Sequence, residues 1–114
     1  MKNKIYLKNI DGWTYIVNPD SKMNRKSVIG KYLWFSSNKK ALMSMAEDIL
    51  VKYGLLYAKV PQSDIARNNS FVLCIYDIGP KLKHELAKYS DDVILYRYWK
   101  SEADTNAKKY SSSF

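Results

Sequence analysis

A chain of 114 residues with 46% hydrophobic and 14% aromatic content has the material for one packed domain. It can bury roughly 65% of the surface its unfolded form exposes, so neither a disordered chain nor a crosslinked mini-protein is implied. The single cysteine, Cys74, excludes an internal disulfide, and the net charge of +8 at a hydrophobic content this high points to anionic partners.

Residues 1–10 are charged and lack the apolar stretch of a signal peptide. No apolar run approaches the ~18 residues that cross a bilayer. The expectation is no membrane association and a reducing, cytoplasmic setting, with Cys74 a buried thiol between Leu73 and Ile75. The first strand is expected at 13–17, between the turn chemistry of Asp11-Gly12 and Asn18-Pro19-Asp20. Residues 21–27 are polar and basic, hence a loop, and 28–35 reads as a second strand that is apolar except at Lys31. Ser36, Ser37 and Asn38 offer N-cap oxygens to a helix. Leu42, Met45, Ala46, Ile49, Leu50 and Tyr53 form its apolar stripe, and Gly54 ends it. That stripe is read as core rather than as a partner groove.

A third strand is expected over 55–60, stopped by Pro61, and a polar loop over 62–70. Residues 71–76 are the most apolar strand and therefore central. Gly79-Pro80 turns into a short helix over 81–89, and Asp91-Asp92 leads into a last strand at 93–99. The order β, β, α, β, β, α, β predicts an α+β fold: a curved, mainly antiparallel sheet of about five strands with two helices on one face. Residues 1–110 form the domain, and 111–114 are expected to fray.

Three of the strands are each interrupted by one cation: Lys31, Lys59 and Arg97. A charge on a sheet face is costly unless paired or wetted, so convergence of these cations on one face points to a phosphate-bearing ligand. Alternation places Lys31 on the face of Leu33 and Phe35, and Lys59 on that of Tyr57. Whether Arg97 or Lys100 shares that face depends on register. The positive charge also concentrates in the first third: residues 1–40 hold nine Lys or Arg against Asp11 and Asp20. On the bland view this is a solvated face.

Four short segments, in order, resemble a small domain family that includes the basophilic-leukaemia-expressed protein. They are Gly30-Lys31-Tyr32-Leu33, Ala58-Lys59-Val60, Val72-Leu73-Cys74-Ile75-Tyr76, and a C-terminal pattern of Trp99, Lys100, Glu102, Thr105 and Tyr110. The departures are Tyr32 where the family has tryptophan, Trp99 where it has tyrosine, and Glu102 where it has aspartate. The resemblance implies a fold similar to the cap-binding translation initiation factor, with a concave ligand face and residues 100–110 closing over the sheet. Some members of the family are labelled phosphothreonine lyases.

The expected ligand-binding set is Lys31, Lys59, Arg97 and Lys100 as cations, Trp34, Tyr57 and Trp99 as stacking surfaces, and Thr105 and Tyr110 as neutral donors. Lys59 is the candidate base if the protein is a lyase, but the acid such a reaction needs is missing, because His84 is read as a surface residue. No metal-ligand spacing, dinucleotide glycine pattern or other cofactor motif is present. The leading expectation is a non-enzymatic module that captures a nucleotide, a cyclic or short oligonucleotide, or single-stranded RNA. Such a module fits a phage or mobile-element accessory protein. The alternatives are a phosphothreonine-lyase-like enzyme and an interaction module for an acidic protein surface, such as an inhibitor of a nucleic-acid-handling enzyme.

Overall fold

Asp11 and Gly12 both take positive φ, 51° and 84°, which is the backbone of the two-residue turns that match the twist of a hairpin. They join β1 (Tyr6–Ile10) to β2 (Trp13–Val17), in register from Tyr6 opposite Val17 to Ile10 opposite Trp13. The computed structural model describes residues 4–63 and 70–101. After a 3-10 turn at Arg25–Ser27 come β3 (Gly30–Ser36), α1 (Lys39–Tyr53), β4 (Tyr57–Pro61), β5 (Phe71–Asp77), α2 (Lys83–Leu86) and β6 (Ile94–Ser101). The six strands form one antiparallel sheet in the order β1-β2-β4-β5-β3-β6.

The α+β class and the antiparallel sheet agree with the sequence. The strand count does not: β1 is an additional strand, because residues 6–10 are exposed throughout and present no buried-face pattern. The second helix is also shorter than expected, a single turn at Lys83–Leu86. Thr105, Tyr110 and residues 111–114 lie outside the described residues.

Helix α1 begins where the Asn38 side chain accepts the Ala41 N–H at 3.0 Å and ends at Gly54, whose φ of 67° is left-handed. Asn18, at the end of β2, donates its amide to the Leu50 and Leu55 carbonyls and ties that end to the sheet. Leu42, Ala46, Ile49 and Leu50 of α1 and Leu86 of α2 join one core with Ile16, Tyr32, Trp34, Ala58, Val60, Leu73 and Ile75. Both helices therefore back the same face of the sheet. Each fully buried leucine, isoleucine or valine there contributes about 1.5–3 kcal/mol. No helix among the described residues is long and apolar enough to cross a membrane.

Candidate functional site

The face turned away from α1 is assembled by register. Tyr15 on β2 lies opposite Lys59 on β4, Lys59 opposite Cys74 on β5, and Cys74 opposite Leu33 on β3. One step along, Val17 faces Tyr57, Tyr76 faces Lys31, and Lys31 faces Lys100 on β6. Lys31 and Lys59, which come from separate strands, thus share one face.

They also share one ring. The Nζ of Lys31 stands 5.6 Å and that of Lys59 5.8 Å from the centre of Tyr76. Tyr76 stacks on Tyr57 at 4.6 Å with 16° between the planes, and Tyr57 meets Tyr15 at 6.0 Å. Lys59 lies 4.2 Å over Trp13, and Arg25 lies 5.6 Å over Tyr57. A ring face attracts a cation electrostatically, which offsets part of the cost of moving these ammonium groups out of bulk water. The result is cations interleaved with aromatic rings.

Accessibility divides this face in two. Towards β5, β3 and β6 the side chains are buried: Lys31 is 2% exposed, Lys100 8%, and Cys74, Leu33 and Tyr76 are covered as well. Towards β2 and β4, Trp13, Tyr15, Tyr57 and Lys59 are half-buried and Arg25 is exposed. The accessible cations at this end are Lys59 and Arg25, while Lys31 lies buried beneath the surface.

A bulge between Leu33 and Trp34 in the β3–β6 pairing settles the register question. Tyr96 pairs with Trp34 and Tyr98 with Leu33, so Arg97 is the extra residue and the simple alternation breaks there. Lys100 consequently lies on the Lys31 face. Arg97 also reaches that side, 6.0 Å over Phe35, and is exposed in the middle of the strand.

Two expected stacking residues lie elsewhere. Trp34 is fully buried on the helix face, where its indole N–H donates to the Tyr89 carbonyl at 3.0 Å. Trp99 packs on the same side, 4.8 Å from Tyr32. The Trp99 indole lies on Gly30, where a Cβ would overlap it and would stand 2.7 Å from the Lys100 carbonyl oxygen. Parity separates even from odd positions of β3, so Trp34 cannot join Lys31. Of the expected rings only Tyr57 is on the cationic face. Sequence reasoning missed Trp13, Tyr15, Tyr76 and Arg25, because Tyr76 sits in the strand read as central, Trp13 and Tyr15 in a strand with no internal cation, and Arg25 in a loop.

The helix side holds a separate polar network. The Tyr32 hydroxyl lies 2.9 Å from both Asp77 Oδ2 and the Gly79 carbonyl oxygen, and accepts the Leu82 N–H at 3.1 Å. Burial, with a contribution from Asp77, pushes the Tyr32 phenol well above the ordinary tyrosine range. Burial also raises Tyr96, whose hydroxyl has no hydrogen-bond partner among the described residues. Near Asp77 a cavity of about 400 Å³ is lined by Lys22, Met23, Tyr53, Ile78 and Lys81 among others. Asp91 Oδ1 accepts the Val93 and Ile94 N–H groups, which fixes a turn and holds its carboxyl below the usual range. No family model, curated protein or solved structure matches this chain.

Proposed function

We propose that the cationic, ring-lined face binds a phosphate-bearing ligand with an aromatic base: a nucleotide, a cyclic or short oligonucleotide, or single-stranded RNA. The protein acts on this reading as a non-enzymatic binding module. The observation that carries it is the meeting of Lys31 and Lys59 at Tyr76, with the Tyr57 and Tyr15 rings continuing outward. Phosphate needs fixed donors, and Lys59 and Arg25 supply them at the accessible end. A base needs a ring surface, and each stacking contact is worth about 1–3 kcal/mol in single-strand complexes. Kinship with the family resembled in sequence is part of this proposal, as is an accessory role in sequestering a nucleotide signal.

Thermal shift of the protein against mono-, di- and cyclic nucleotides and a short single-stranded RNA, at low and high salt, tests the reading. Expected is a stabilisation that weakens with salt and is lost in the Lys59→Ala, Arg25→Ala double variant. Absence of a shift with every one of them overturns the nucleotide reading in favour of an acidic protein partner. Lys59 lies 4.2 Å over the Trp13 ring, a placement that suits a clamp on phosphate. Turnover of a phosphothreonine peptide that vanishes in Lys59→Arg while binding persists would establish the lyase alternative instead.

A further inference from the structure

Strand β1 is exposed along its whole length, including Tyr6 at 49%, Leu7 at 53% and Ile10 at 39%. Its register with β2 assigns these side chains to faces. Leu7 lies opposite Ile16, which belongs to the helix-side core, whereas Lys8 lies opposite Tyr15 and Ile10 opposite Trp13. Tyr6, Lys8 and Ile10 therefore extend the cationic face by one more strand, out to the edge of the sheet.

A mononucleotide needs one ring and one phosphate clamp. This face offers a succession instead: Tyr57 on β4, Tyr15 on β2 and Tyr6 on β1, with Lys59 opposite Tyr15 and Lys8 on its other side. The Tyr57 and Tyr15 rings are 6.0 Å apart. Tyr6 and Tyr15 occupy diagonal cross-strand positions, which are typically about 7–8 Å apart. Both steps exceed the rise of about 3.4 Å between stacked bases of a duplex strand, so the bases these rings can serve are splayed ones, as in single strands. Arg25 at Tyr57 adds a third cation on the accessible side.

Building on the phosphate-ligand reading, we infer that the occupant of this face is single-stranded nucleic acid running from β4 across β2 to β1, its bases on Tyr57, Tyr15 and Tyr6 and its phosphates on Lys59, Lys8 and Arg25. The charge complementarity of the three cations selects a polyanion, and the rings select one with unstacked bases.

The test is fluorescence anisotropy of the full chain with labelled oligouridylates of one, three and six nucleotides, a ten-base-pair RNA duplex, and an oligoglutamate peptide. Expected is an affinity that rises roughly tenfold or more from one to six nucleotides, with the duplex weaker than the hexamer. The hexamer's log affinity should fall against log salt with a slope of about −2, for three neutralised phosphates. Lys8→Glu and Tyr6→Ala change exposed side chains only, and each should shrink the hexamer's advantage over the mononucleotide. Equal affinity for one and six nucleotides, with both variants silent, overturns the strand assignment while the nucleotide reading survives. Binding of oligoglutamate alone overturns both and makes β1 an edge for an acidic protein segment. Binding of none of the probes also overturns both.

Discussion

The two faces of the sheet use similar residue types for different ends. On the helix side, Tyr32, Trp34 and Tyr96 are packed among aliphatic side chains, and the polar atoms of Tyr32 and Trp34 are tied to protein groups. On the other side, Tyr15, Tyr57, Tyr76 and Trp13 meet Lys31, Lys59 and Arg25. An aromatic ring packed among apolar neighbours is core, whereas one beside cations near solvent is, on the proposed reading, a recognition surface. The residue type does not decide between them; the neighbouring strand does.

The comparison is broken most severely on the helix side. Trp34→Ala should cost about 3–5 kcal/mol in denaturant unfolding, because it opens a cavity and leaves the Tyr89 carbonyl without its indole donor. Tyr32→Phe should cost about 1–3 kcal/mol, since Asp77 Oδ2 and the Leu82 N–H lose their hydroxyl partner. The same residue sets an alkaline limit. Its folded pKa lies above the unfolded value of about 10, so its contribution is complete below pH ~10 and declines as pH rises beyond it. Thermal unfolding between pH 8 and 11 should show stability falling at the alkaline end, with a shallower fall in Tyr32→Phe.

On the cationic side the effects on stability should be small and those on binding large. Lys59→Ala removes the ammonium from Trp13 and Tyr76 and should cost about 0.5–2 kcal/mol in unfolding, while weakening the salt-sensitive stabilisation by nucleotides. A loss of several kcal/mol would make Lys59 part of the folding core rather than of a site. The smallest effect sharpens the contrast from within the core. Tyr96→Phe deletes a buried hydroxyl that bonds to nothing among the described residues, so unfolding stability should hold or rise by up to about 1 kcal/mol.

Much of the fold was legible in local chemistry. Helix α1 was marked by its stripe, by Asn38 at its start and by Gly54 at its end, and β2 and β5 by runs bounded by turn residues. Strand β1 was missed although Asp11-Gly12 between two strand-like runs is a hairpin signal, because every residue of β1 is exposed and its pattern resembles a solvated segment. The convergence of Lys31 and Lys59 was expected only if their strands were neighbours, because parity within a strand does not relate it to another. The assignment of Trp34 and Trp99 to that face was not compatible with parity once the helices took the even positions of β3.

By itself the sequence determined the class of fold, the positive charge, the central apolar strand and the alternation within β3 and β4, since these follow from periodicity and turn chemistry within a few residues. Only the tertiary structure decided which strands are neighbours, and hence that Lys31 and Lys59 meet at Tyr76. It alone placed the bulge that turns Lys100 towards Lys31 and frees Arg97 to reach Phe35. Strand order and bulges depend on hydrogen bonds between segments far apart in the chain, and no local pattern specifies them.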